Sequence, residues 1–268
     1  MNLGLAYFEG YDAEKVALQK QLGLKTAISS ARQVGAAPAY TLENLRAMQK
    51  QYEDAGLTLS VIEGPPALDE VKLGRAGADE QMAQFKEFLA ACGTLGIRTV
   101  CYNWMPVLNW HRTRTDIPTR GGATVTGFDL RDTNPAERTY AGEVSAETLW
   151  KTLESFLCEV VPECEKYGIR LALHPDDPPV SPLKGISRIL TSADAFDRVF
   201  SLCSSPLNGM TFCQGCFAAM GEDIPAAIRR FGREKIFFVH FRDVQGDRNN
   251  FHETFHDDGK TNMFEAMR

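Results

Sequence analysis

The stretch Gly168-Ile-Arg-Leu-Ala-Leu-His174 decides the fold. A glycine closes the helical pattern before it, a short apolar run of strand composition follows, and the run ends on a side chain that can ligate a metal. Two later runs end the same way: Met210-Thr-Phe-Cys213 and Ile236-Phe-Phe-Val-His240. A helix-like stretch separates each run from the next. In a parallel α/β barrel every strand delivers its C-terminal residue to one rim, so ligands distant in sequence converge in space. A single His or Cys after a strand is usually a packed core residue. Three successive strands ending in this way read as a metal site made by His174, Cys213 and His240.

Working outward, apolar runs of strand type fall at Leu3–Ala6, Thr26–Ile28, Leu57–Ile62, Thr99–Tyr102, Ile169–Leu173, Gly209–Phe212 and Ile236–Val239. Helical patterns lie between them, at Glu14–Leu22, Leu42–Ala55, Asp79–Leu95, Ala146–Tyr167, Ala193–Leu202 and Ile224–Phe231, several closed by a glycine. Helix, glycine and strand in repetition predict βα units and a parallel sheet. The expected architecture is a TIM-type (β/α)8 barrel, with about seven βα units in one domain over residues 1–268. A doubly wound sheet is the alternative, but no G-x-G-x-x-G follows the first strand. Two stretches, about 104–144 and 241–260, read as long irregular rim loops after the fourth and seventh strands. Asn262-Met-Phe-Glu-Ala-Met-Arg268 reads as the opening of a helix, so the last barrel strand is expected to be missing from this chain. A gap of that kind exposes two sheet edges, which makes a homo-oligomer plausible.

Composition narrows the function. With 268 residues, 44% apolar and 24% charged, the chain has the make-up of a globular protein. A net charge of -6 and the lack of long basic runs argue against nucleic acid. No stretch reaches the length of a membrane span and the N-terminus has no signal-peptide pattern, so the expected compartment is the cytoplasm. The seven cysteines are scattered, as expected for free, mostly buried thiols. Cys213-Gln-Gly-Cys216 forms a C-x-x-C; the absence of a second one counts against a structural zinc cluster, and its late position counts against a thioredoxin-type redox motif.

Two imidazoles and a thiolate suit zinc, ferrous iron, cobalt or manganese, and three protein ligands leave room for a substrate oxygen. Arg112, Arg114, Arg120 and Arg242 on the loops match carboxylates, which hints at an acidic substrate beside the metal. In the turn Pro175-Asp-Asp-Pro-Pro179, either Asp176 or Asp177 could orient the imidazole or bind substrate hydroxyls. His256 and Asp257 are candidates for an acid or base on a mobile loop.

At these motifs the chain resembles the D-mannonate dehydratases, members of the xylose-isomerase-like barrels. The matching stretches are Val61-Ile-Glu63, Val71-Lys-Leu-Gly74, Val100-Cys-Tyr-Asn-Trp-Met-Pro-Val107 with Asn109-Trp110, Thr113-Arg-Thr-Asp116, Leu173-His-Pro-Asp-Asp-Pro-Pro179, Phe212-Cys-Gln-Gly215, Val239-His-Phe-Arg-Asp243 and Phe251-His-Glu-Thr-Phe-His-Asp-Asp-Gly259. The resemblance implies a lyase that converts D-mannonate, a small sugar acid, to 2-dehydro-3-deoxy-D-gluconate in hexuronate breakdown, with Fe(II) or Mn(II). It places the metal on His174, Cys213 and His240. Candidate substrate contacts are Asn103, Trp110, Arg114, Asp176 and Arg242. The family's fourth ligand, an Asp, and its catalytic His and Tyr fall beyond Arg268, and His111-Arg112 stand as an insertion before Thr113. A sugar isomerase or epimerase on the same barrel, or an inactive shortened barrel, are the competing readings.

Overall fold

In the computed structural model, which describes residues 2–268, seven strands run parallel in one sheet. In chain order the elements are β1 (Gly4–Tyr7), α1 (Ala13–Gln21), β2 (Thr26–Ser29), α2 (Leu42–Asp54), β3 (Thr58–Glu63), α3 (Asp69–Leu73), α4 (Ala78–Leu95) and β4 (Thr99–Asn103). Then come β5 (Arg114–Pro118), β6 (Thr124–Asp129), α5 (Ala146–Tyr167), β7 (Arg170–His174), α6 (Ala193–Leu202), β8 (Asn208–Cys213), α7 (Gln214–Met220) and α8 (Ile224–Lys235). The chain continues through β9 (Ile236–His240), β10 (Asp243–Asp247), β11 (Asn250–Thr254) and α9 (Met263–Met267). The main sheet has the order β1-β2-β3-β4-β7-β8-β9 and curls as a half-barrel, so the expected α/β barrel topology is present. No helix among the described residues is long and apolar enough to cross a membrane.

Local chemistry explains the boundaries. Ser145 accepts a hydrogen bond from the Thr148 amide and starts α5, and Gly168 takes a left-handed conformation to end it. Between these caps Leu149, Leu153, Phe156, Leu157, Val160, Val161 and Cys164 form one buried stripe. Phe156 meets Phe85, Tyr102 and Trp104 at centroid distances of 5.3, 5.4 and 5.0 Å, locking α5 and α4 onto β4. All six residues of β8 are buried, as a strand covered on both faces of a parallel sheet must be.

The two rim stretches differ from the expectation of irregular loops. Four of their segments pair as an antiparallel sheet of order β10-β11-β6-β5. Phe251 lies opposite Phe128, and both are buried, so this small sheet has a packed inner face. The Thr124-Val-Thr-Gly-Phe-Asp129 run carries the period of a strand, but its partner is more than a hundred residues away, which hides it from local reading.

Candidate metal centre

Register brings the three ligand candidates to one height. His174 ends β7 opposite Asn103 of β4, and Cys213 ends β8 directly opposite His240 of β9. Their donor atoms all lie within 4.8 Å of one another. The hydrogen bonds around the imidazoles fix which nitrogens face inward. His174 Nδ1 is 2.6 Å from the Pro175 carbonyl oxygen, which can only accept, so Nδ1 carries the proton and Nε2 offers a lone pair. His240 Nε2 is 3.0 Å from the Glu63 carboxylate, so Nε2 carries the proton there and Nδ1 faces inward. His174 Nε2 and His240 Nδ1 then face each other at 3.1 Å. Two lone pairs and a sulfur around one point call for a cation between them, and this donor set fits a borderline-soft divalent ion.

Without an ion, a proton on His240 Nδ1, donated toward His174 Nε2, meets that demand, and a bound ion would displace it. Burial opposes the charged form of His240, yet the Glu63 carboxylate and the Cys213 sulfur together push its imidazolium up to about 10. Burial likewise opposes the Cys213 thiolate, but a hydrogen bond from Cys216, the Arg242 guanidinium and His174 hold it well below the usual thiol range. Gly215 lets that guanidinium come close, because a Cβ there would collide with the Arg242 side chain.

Beside the three donors, four charges form a closed ring. Arg112 bonds Asp177 through both terminal nitrogens, at 2.9 Å for Nη2 to Oδ2, and donates to Glu253 at 3.0 Å. Arg242 donates to the same Asp177 and Glu253, each at 3.1 Å. Arg112 is clamped between the rings of Trp110 and Phe251, 4.6 and 5.0 Å from its guanidinium carbon. Charge in this ring is balanced, two cations against two carboxylates, which is how four such groups can stay together out of water.

The expected substrate contacts are placed unequally. Asn103, Trp110 and Arg242 line the cavity with His174, Asp177, His240 and Glu253. Asn103 is held by Lys72 Nζ at 3.1 Å and donates to Asn109 at 2.8 Å. Asp176 turns the other way: fully buried, it accepts from the Leu190 amide at 2.7 Å and stands 3.7 Å from Arg188, so Asp177 is the carboxylate of that turn that meets the cavity. Arg114 is exposed on β5 and does not line the cavity. Nor do His256, which meets the Phe241 carbonyl, and Asp257, which pairs with Arg120 on the exposed rim. Arg112 and Asp177, both named from the sequence, meet each other in the charge ring, whereas the residues to which sequence reasoning gave no role are Glu63, Lys72 and Glu253. For Glu63 the signal was available, since it ends β3 as the donors end β7, β8 and β9.

The D-mannonate dehydratase (UxuA) family model matches residues 1–141 and 136–268. The mannonate dehydratase of Oceanobacillus iheyensis is 33% identical over 282 residues, covering 96% of this chain and 80% of that protein. Mannonate dehydratase 2 of Halalkalibacterium halodurans is 32% identical over 298 residues, covering 100% and 86%. Among solved structures, mannonate dehydratase from Streptococcus suis serotype 2 superposes with a TM-score of 0.89 at 31% identity, covering 99% of this chain and 79% of that one. A D-tagatose 3-epimerase-like protein, with a TM-score of 0.65 and 14% identity, shares the fold alone.

Proposed function

The chain belongs to the mannonate dehydratase family, and from that premise we propose that it is a hydro-lyase that takes D-mannonate to 2-dehydro-3-deoxy-D-gluconate in hexuronate breakdown, with Fe(II) or Mn(II) on His174, Cys213 and His240. The observation that carries this reading is the convergence of three donors from the ends of β7, β8 and β9, with one nitrogen of each imidazole facing the same point.

When bound, the ion supplies a Lewis acid that draws electron density from the oxygens of the sugar acid. The protein's part is positioning. Glu63 keeps the proton on His240 Nε2 so that Nδ1 stays available. Asp177 and Glu253 hold Arg242 at the cavity wall, where its guanidinium meets a carboxylate or hydroxyl of the substrate. Asn103, oriented by Lys72, and the indole of Trp110 line the same cavity and fit the hydroxyls and carbon face of a sugar acid.

The test is an anaerobic assay of the chain with D-mannonate and Mn(II), following the 2-keto-3-deoxy acid. Product that depends on added metal, and that disappears in Cys213→Ala, supports the reading. Turnover of a neutral ketose with mannonate untouched moves the protein to the isomerases and epimerases.

A further inference from the structure

One motif is only half used by the metal centre. Cys213 joins the two imidazoles, whereas Cys216 stands outside that donor group. Yet Cys216 Sγ lies 3.1 Å from Cys213 Sγ, and both side chains are buried. The backbone makes the approach natural: Cys213 ends β8 and Cys216 is the third residue of α7, with glycine between at position 215. A disulfide requires the sulfurs to close by only about 1 Å, to near 2.05 Å. No metal has to be displaced for this when the centre is empty.

The geometry points to a modification site: a reversible Cys213–Cys216 disulfide, formed by a small hydroperoxide, that competes with the metal for the Cys213 sulfur. This deepens the proposed metal-centre reading and rests on it. The Cys213 sulfur attacks one peroxide oxygen, the O–O bond breaks, and a sulfenic acid and one water result. Cys216 then attacks the sulfenic sulfur, the S–O bond breaks, and the departing hydroxide takes the Cys216 proton as a second water. In sum two thiols lose two electrons and two protons, and one hydrogen peroxide is reduced to two waters. A disulfide sulfur is no thiolate ligand, so the oxidised chain cannot rebuild the three-donor site. Cys216 thereby diverts Cys213 from the sulfinic acid, which thiol reductants do not reverse.

The experiment uses the full metal-free chain, equimolar hydrogen peroxide, peptide mapping by mass spectrometry, and Mn(II) binding by calorimetry. The expected result is a mapped Cys213–Cys216 link with loss of two hydrogens, Mn(II) affinity weakened by roughly a hundredfold or more, as loss of a ligand should exceed loss of an outer-shell partner, and recovery with dithiothreitol. Saturation with Mn(II) beforehand should prevent the link. Cys216→Ser keeps a hydroxyl donor toward the Cys213 sulfur, and Cys216→Ala, used if the first variant folds poorly, removes it; either should weaken Mn(II) binding less than the disulfide does, by about tenfold for the alanine variant. Peroxide should then leave irreversible oxidation at Cys213. A map without the link, or a link that leaves Mn(II) binding intact, overturns the inference. A reduced chain that binds no Mn(II) overturns the metal centre and the competition with it; the disulfide map, which needs no metal, tells that failure apart from failure of the thiol pair.

Discussion

His240 has one nitrogen satisfied by Glu63 and the other turned toward His174, and the proposed ligation rests on that asymmetry. Replacing Glu63 by Ala should free the ring to change tautomer and weaken Mn(II) binding about 10–100-fold. Glu63→Gln should fall between, since its amide oxygen can still accept from Nε2–H; equal binding in all three proteins would remove Glu63 from the centre. Lys72 is a second residue set by its surroundings. Burial lowers its ammonium from 10.5 to about 8, against the pull of Asp69. The folded state therefore binds its proton less well than the unfolded chain, and the resulting cost is fully present below about pH 8. Stability should recover between about pH 8 and 10.5, by about 3 kcal/mol at most. Lys72→Met should flatten the difference in denaturant unfolding free energy over that window, and an unchanged profile would contradict it. The three donors were legible because strand ends have a common destination. Glu63 ends a strand as they do, but its partner was not legible, because the bond to His240 spans 177 positions, and the choice between Asp176 and Asp177 is made by the turn conformation, which adjacent identical residues do not encode separately.

At the level of elements, the seven parallel strands could be read from glycine-closed helices and apolar runs, because both signals are local. The rim sheet could not, since β6 and β11 pair across the main domain and neither is strongly apolar. Its hairpin depends on Gly246, which has φ of 102° and where a Cβ would strike the Asn250 carbonyl and the Phe251 backbone. Gly246→Val should therefore loosen β10, β11 and β6 at a cost of roughly 1–3 kcal/mol. Hydrogen exchange should show faster amides in those strands with the seven-stranded sheet still protected; unchanged exchange in the hairpin would mean that the turn accommodates the side chain. Because Glu253 sits on β11, loosening the rim also frees Arg242 at the cavity wall.

Across the whole molecule, the charge ring joins the two sheets: Arg112 and Glu253 belong to the rim, Asp177 follows β7 and Arg242 follows β9. Asp177→Ala leaves two guanidinium groups facing each other in a buried setting and should cost about 3–5 kcal/mol in denaturant unfolding, far more than an exposed ion pair such as Lys50–Asp54 could contribute. The metal centre acts at the same scale, because its donors come from three neighbouring strands. An ion that binds only the assembled ends of β7, β8 and β9 must stabilise the fold by mass action, about 2.7 kcal/mol at a hundred times its Kd. For a chain of this size that corresponds to a rise in melting temperature of roughly 5–10 °C. Cys213→Ala and His174→Ala should each lose most of that rise while melting cooperatively without metal. Were both variants to keep the full shift, the ion would be binding elsewhere, and the convergence of these three strand ends would be a feature of the packing alone.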